Sequence, residues 1–405
     1  MLLTTFLIPI LVFISIKTGA KNIRSCYWIF LAIELVLILT LVSFDMVIFF
    51  LVFETTLTLM YFLVYYWGSK LYKIRSGFYL FMFTMVGSLL LLIGILFLLL
   101  ITGSTNLIVL ENFHFSVNQQ KLFAFVFTIG FGIKVPIFPF HGWLPDVHSE
   151  GSTYGSILLA GILLKLGIYG LLRFGSTILP YGILYLSPLI FLWTLVGCFT
   201  CSYNCLRQYD LKKIIAYSSV THINFAIASL YTLHIQGLMG CIITSVNHGV
   251  SSSALFMFLG FLYDRTHSRN LFTLQALFHH YPVSSTLFFI LILGNLSLPG
   301  TLGFYGELFS ILSLADVDFL LTALFVWNVC LTTSYSLFLY KRISFGKSFH
   351  RKLIIGIRLG KPFYLNPRLL NLLSGKQDRL ISYLFWMTSQ KILNIEYVSS
   401  LKFIW

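Results

Sequence analysis

The sequence predicts an all-α polytopic membrane protein with about eleven transmembrane helices, and three observations carry that prediction. Of its 405 residues, 58% are hydrophobic, 17% aromatic and only 10% charged. A soluble domain carries about 25% charged residues, so this chain could not cover a water-facing surface. The apolar residues fall into runs near the length of roughly 20 residues that a spanning helix needs. Those runs lack the period-two alternation of a membrane barrel, and lipid leaves helices as the other way to pair every backbone group.

Eleven runs follow in order, near residues 1–16, 27–43, 45–67, 77–102, 122–140, 155–174, 182–204, 212–235, 237–263, 283–313 and 318–340. The first is short and the tenth long. Met1–Ile16 has no basic segment before it and no small-residue cleavage site after it, so it does not read as a signal peptide. The basic residues then sort by side. Side A, the face reached after the first run, holds Lys17, Lys21, Arg24, Lys70, Lys73, Arg75, Arg207, Lys212, Lys213, Arg265 and Arg269. The segment after the last run adds twelve more, from Lys341 to Lys402. Side B holds Lys121 and Arg173, while Lys134 and Lys165 fall inside runs. One extra or missing span would scramble so one-sided a split. It makes side A the cytoplasmic or matrix face.

The net charge of +14 would suggest nucleic acid in a soluble chain. Here it follows from topology, so the expected partners include membrane lipids and no nucleic acid. Residues 342–405 hold no spanning run; Ile381–Met387 is too short. They read as a basic side-A tail, open to anionic headgroups, an acidic partner or solvent. Six cysteines are too few for a disulfide scaffold. Cys198, Cys201 and Cys205 sit in an apolar run without a histidine or acid, which favours packing over metal ligation. No metal site is expected.

Ionisable side chains inside a bilayer are costly, which makes them functional candidates. The third run holds Glu54, the fifth Lys134, the sixth Lys165, the ninth His248 and the tenth Glu307. Lys134 lies in GFGIKVPIFPFHGWLP. Pro136 and Pro139 there remove N–H donors and break the helix, and Gly130 and Gly132 permit unusual backbone just before. The tenth run repeats the pattern in GNLSLPGTLGFYGELF, with a break at Pro299 and Gly300 and Glu307 two turns on. Broken helices at membrane depth are tolerated where they line a cavity. Two of them, each with an embedded charge, predict a hydrated path at mid-membrane. The competing reading pins each lysine to a glutamate for assembly alone. Glu34 in the second run has no motif around it, and His222 in the eighth fits a satisfied polar residue, so both are secondary candidates. His248, in SVNHGVSSSALF, has small neighbours that permit close helix approach.

Magnitudes favour proton movement over structure. A free lysine titrates near ~10.4, and burial lowers such a group by ~3–5 units. A carboxylate about 4 Å away returns roughly 4 kcal/mol at an effective dielectric of ~20. Pairing Lys134 with Glu54 would therefore hold a proton, and separating them would release it. Glu54, Lys134, Lys165, His248 and Glu307 form a series of stations whose loading depends on neighbours. No redox group is needed for this.

The stretches FFLVFETTLTLMYFLVYYWG, KVPIFPFHGWLPDVHSEG, GSILLAGILLKLGIYGLLRF, DLKKIIAYSSVTHINFAIASL, IQGLMGCIITSVNHGVSSSALFMFLGFLYDRTHSR and NLSLPGTLGFYGELFSIL resemble the antiporter-like proton-pumping subunits of respiratory complex I, within them the chain 4 group. The resemblance runs from roughly Phe49 to Tyr340. It implies that Glu54 partners the broken-helix lysine, Lys134. Lys165 and His248 would be central-axis residues, and Glu307 the terminal charge of the second broken helix. It also implies two inverted five-helix repeats within an order of 1–26 (first helix and loop), 27–174, 175–341 and the tail 342–405. Two helices that usually open family members and the last one are not recognisable, and the usual EAP-type segment reads Glu150–Gly151–Ser152. The implied activity is proton translocation coupled to quinone reduction elsewhere. This chain would be a non-redox subunit without cofactors, the flavin, iron–sulfur clusters and ubiquinone belonging to other subunits. Implied partners are the other membrane-arm subunits, including neighbouring antiporter-like chains. The 41 phenylalanines and the lack of a removable presequence fit a mitochondrial inner membrane, with a bacterial plasma membrane as the other option. A Mrp-type cation/proton antiporter subunit and a non-pumping structural subunit stand as alternatives.

Overall fold

The structure, a computed structural model, describes residues 1–17, 22–68, 72–277 and 281–345. The basic tail expected over 342–405 lies outside the described residues from 346 onward. The helices are α1 (Leu2–Lys17), α2 (Ile23–Val42), α3 (Met46–Trp67), α4 (Lys73–Thr102), α5 (Leu107–Asn112), α6 (Val117–Lys134), α7 (Trp143–Glu150), α8 (Thr153–Leu158), α9 (Leu164–Gly170), α10 (Ser176–Ile178), α11 (Pro180–Arg207), α12 (Leu211–Leu230), α13 (Ile235–Thr266), α14 (Pro282–Asn295), α15 (Leu302–Ala315) and α16 (Phe319–Ser344). Two π-helical turns, Leu159–Leu163 and Leu171–Gly175, interrupt the stretch from α8 to α10. No β-strand occurs among the described residues.

Seven helical stretches are long and apolar enough to cross a membrane: α2, α3, α4, 153–178, α11, α13 and α16. Of the other runs, α1 is short, and the tenth is divided into α14 and α15. The fifth is cut short, its helix α6 ending at Lys134 within the run. The rest of the difference is polarity: α6 opens on Asn118, Gln119, Gln120 and Lys121, and α12 is rich in serine and threonine. α2 shows how the outer helices face lipid. Leu31, Leu35 and Leu39 are exposed on one side while Phe30, Ile33 and Leu37 are fully buried on the other. A helix apolar all round suits a bilayer.

α12 is the innermost helix, packed on α7, α11 and α15. Its Ser218, Ser219, Thr221, Asn224 and Ser229 are buried. Each satisfies its donor on a carbonyl three or four residues back, the usual way a helix carries hydroxyls through an apolar interior. α3 and α12 begin alike. Asp45 caps α3 at the amides of Val47 and Ile48, and Asp210 caps α12 at that of Lys212. Each aspartate makes an isolated backbone bridge, to Asn106 and Asn270 respectively. Both asparagines in turn accept an amide two residues on. Such caps supply acceptors for otherwise orphaned helix-start donors. Among the described residues, every candidate residue lies in one compact unit that takes in Met1–Asp264.

Candidate functional site

α6 ends at Lys134 because Pro136 has no N–H to continue it. The amide of Ile137 reaches back to the carbonyl of Gly132 at 2.9 Å instead. The Trp143 indole N–H, across the break at the start of α7, donates to the carbonyl of Ile133 at 3.1 Å. The break thus satisfies its freed acceptors and leaves Lys134 at the cut end, buried to 8% exposure. Its Nζ donates to the carbonyl of Phe53 at 3.0 Å and stands 3.0 Å from the centre of the Phe53 ring. Glu54 Oε1 lies 3.6 Å away. That is an ion pair without a direct hydrogen bond. Glu54 and Phe53 both come from the middle of α3.

Lys165 sits just after the first π turn. Its Nζ bonds the carbonyl of Ala160 within that turn, which a π-helical register leaves available. The same Nζ lies 2.7 Å from Nδ1 of His248 on α13. The approach needs the crossing of two glycines: a Cβ on Gly249 would meet the carbonyl of Gly161 at 3.0 Å. His248 is 3% exposed, and its ring centre is 5.9 Å from that of His222 on α12.

The second break lies between α14 and α15. Gly300 turns the chain at φ 97°, a left-handed value that suits glycine. Asn247 of α13 donates to the carbonyl of Gly294, and Ser251 to the side chain of Asn295. From α15, Glu307 accepts the Ser297 hydroxyl at 2.8 Å and faces Nδ1 of His222 at 3.5 Å. A small cavity among His222, Thr244, Asn247, His248, Asn295, Ser297 and Glu307 joins these groups; Phe225 is the apolar member of its lining.

The direct contacts among the five residues expected to form one row gather them into two clusters, Glu54 with Lys134, and Lys165 with His248, His222 and Glu307. Beside the first cluster a cavity is lined by Lys134 and by Leu159, Leu163, Leu164 and Leu166, with Thr56 and Thr84 as its hydroxyls. On α9, Gly167 and Gly170 lie against Val135 and Phe131 at the end of α6, while Lys165 reaches α13. His222, a secondary candidate, joins the second cluster. Glu34 is half-buried on α2 and makes no hydrogen bond or ion pair among the described residues.

Two buried basic residues escaped the sequence reading. His148 on α7 is fully buried and stacked on Phe256, 4.6 Å between ring centres, and neither ring nitrogen has a hydrogen-bond partner. It lies within electrostatic reach of Lys165 and Lys212. Lys212 is 3% exposed although its place at a helix start reads as a surface charge. Cys198, Cys201 and Cys205 are buried and unpaired, and no group of three metal-binding side chains occurs among the described residues. Chemically, the second cluster can pass a proton between an amine, two imidazoles and a carboxylate. The first can hold one on an ammonium beside a carboxylate.

Comparison with known proteins adds the lineage. Residues 43–332 match the family model described as NADH:quinone oxidoreductase/Mrp antiporter, TM. NADH-ubiquinone oxidoreductase chain 4 of Marchantia polymorpha is 41% identical over 348 residues, covering 85% of this chain and 70% of that one. In fold the chain is similar to respiratory complex I from Thermus thermophilus with bound NADH. There the TM-score is 0.73 at 24% identity, covering 82% of this chain and 78% of the other. It is also similar to the Mrp complex from Dietzia sp. DQ12-45-1b, at TM-score 0.77 and 20% identity, covering 85% and 65%.

Proposed function

Because this chain belongs to the NADH:quinone oxidoreductase/Mrp antiporter transmembrane family, we propose that it is a proton-translocating membrane-arm subunit of respiratory complex I. It is a multi-pass protein of the mitochondrial inner membrane, with side A towards the matrix. It works beside other membrane-arm subunits, neighbouring antiporter-like chains among them, and in contact with lipid. It carries no redox centre: flavin, iron–sulfur clusters and ubiquinone are held elsewhere in the complex, and quinone reduction there drives this chain. Residues 27–174 and 175–341 are its two inverted halves. The matched breaks at Pro136 and Pro299 support that division, as do the matched Asp–Asn bridges.

The observation that carries the reading is the contiguous run Lys165–His248–His222–Glu307, with Lys134–Glu54 beside it. A proton on Lys165 has His248 Nδ1 as the titratable acceptor in direct contact. From the imidazoles it passes to Glu307, with solvent in the shared polar cavity closing the gap between the rings. The leucines that line the cavity at Lys134 resist charge transfer until water enters, as hydrophobic constrictions do in channels. Lys134 keeps its proton while Glu54 stays at ion-pair distance and yields it when the pair opens. Removing a positioned proton donor costs about 10²–10⁴-fold in comparable transfers. Lys165→Met in the assembled complex is therefore expected to slow proton transfer through this chain at least about 10²-fold, read as loss of this chain's share of the acidification per NADH oxidised in sealed vesicles. Pumping at the wild-type ratio would overturn the role.

The fold likeness to the Mrp complex favours a second reading, a cation/proton antiporter subunit. The two part on co-purification: a complex I subunit travels with NADH-oxidising chains, and an antiporter subunit does not.

A further inference from the structure

A lysine at the start of a membrane helix usually extends its amine to the headgroups. Lys212 instead turns inward. Its Nζ donates to the carbonyl of Gly151 at 2.7 Å and approaches that of Ser152 at 3.4 Å. Those carbonyls form the joint between α7 and α8. Ser152 in addition caps α8, accepting the amide of Gly155 at 3.2 Å. The last carbonyls of α7 have no helical donors of their own, and they carry the negative end of its dipole. Two more cations reach the same helix. Arg269 donates to the carbonyl of Ser149 at 2.6 Å, and Lys213 pairs with Asp146 at 3.1 Å. Lys213 and Asp146 are half-exposed, so water can replace that contact. Lys212 is buried, so its contact with the joint has no such substitute.

The joint controls a short lever. From Ser152, α8 and the first π turn lead directly to Lys165, which must meet His248 across the crossing of Gly161 and Gly249. His148 lies one turn to the other side of the joint, packed flat on Phe256 of the same α13. We propose that Lys212 is a positioning residue: by fastening the α7–α8 joint to α12 it keeps Lys165 in register with His248. The second half of the molecule thereby holds the proton carrier of the first. Proton transfer is steep in geometry, since a displacement of about 1 Å far from the reacting groups can cost about 10²-fold.

This inference rests on Lys165 carrying protons, so Lys165→Met is measured in parallel with Lys212→Met, Lys212→Arg and Lys213→Met. All are placed in the full chain within its native complex. Assembly is read on native gels, and protons moved per NADH in sealed vesicles. Lys212→Met is expected to assemble and to lose at least about threefold in this chain's share of that ratio. Lys212→Arg, which keeps a long cationic donor, should recover most of it, and Lys213→Met should stay within about twofold of wild type. Rescue by arginine is what a residue needed only for bulk would not give. A Lys212→Met complex that pumps at the wild-type ratio overturns the proposal. So does one that never assembles, which would make Lys212 a folding residue alone, and so does failure of the arginine variant to recover. If Lys165→Met itself pumps normally, the functional reading fails instead. If Lys165→Met stops pumping and Lys212→Met does not, only the inference about Lys212 falls.

Discussion

Lys165 Nζ and His248 Nδ1 lie 2.7 Å apart across 83 positions of sequence, and their contact depends on the absence of a side chain at Gly249. A Cβ there would stand 2.8 Å from Leu3 Cδ2 and 3.0 Å from the Gly161 carbonyl. Leu3 can rotate away, but a backbone oxygen cannot. Gly249→Ala should therefore push α13 off the π turn and part the amine from the imidazole. Overpacking of this kind costs about 1–3 kcal/mol. The expected outcome is a complex that melts earlier and pumps less per NADH. A variant with unchanged melting and unchanged stoichiometry would mean that the crossing is looser than its spacing implies.

The pair of Lys134 with Glu54 makes a different kind of prediction. Their side chains are 9% and 18% exposed, so most of the solvation of both charges has been given up. Removing one partner strands the other. A stranded buried charge costs about 3–5 kcal/mol, whereas replacing both charges with neutral groups is often close to neutral. Glu54→Gln should thus reduce the amount of assembled complex sharply. Glu54→Gln combined with Lys134→Met should restore assembly while leaving pumping low. A loss in the double variant equal to the sum of the two single losses, measured as complex per membrane protein, would show that the two charges act independently.

The leucines beside Lys134 predict a leak. Leu163 lines the cavity that also contains Lys134. Serine at that position would place a hydroxyl where only Thr56 and Thr84 now offer one, and would make room for solvent. A wetted constriction conducts. Leu163→Ser should speed the passive collapse of a pH gradient across resting vesicles several-fold, with NADH oxidation unaffected. An unchanged collapse rate would place the barrier elsewhere.

The chemistry of the site was legible in the sequence, and its partition was not. Charges in apolar runs stand out by their cost, and prolines beside them mark where the helices end, so Glu54, Lys134, Lys165, His248, Glu307 and both breaks could be named from the string of residues. That Lys165 meets His248 depends on how the stretch around the first π turn crosses α13 at Gly161 and Gly249, and the π turns have no composition of their own. The pairing of His222 with Glu307 is tertiary in the same sense, because the two residues sit on α12 and α15, far apart in sequence. His148 lies in PDVHSE, whose polar neighbours read as a loop, and Lys212 follows Asp210 at a helix start, where a basic residue usually meets water. Both are buried by helices from the other half of the chain, a fact that local pattern does not contain.

Ser297 offers the last test, at the far end of the row. It sits at the second break with φ 54° and gives its hydroxyl to Glu307 Oε1 at 2.8 Å, while His222 stands 3.5 Å from the same oxygen. A hydrogen bond to a charged acceptor is worth about 1.5–3 kcal/mol, so the serine fixes where the carboxylate points. Ser297→Ala removes that bond and leaves Glu307 free to swing away from the imidazole. The residual contact with His222 should keep the route open, so the effect is a slowing and not a block. Turnover with pumping is expected to fall roughly tenfold, in line with about 1.4 kcal/mol for each factor of ten. Ser297→Thr keeps the hydroxyl but adds a β-branch at that left-handed backbone, so it should fall between the alanine variant and wild type. Steady-state NADH oxidation coupled to acidification distinguishes these outcomes. Equal rates for the alanine and threonine variants would mean that Glu307 is held by its surroundings and not by the serine.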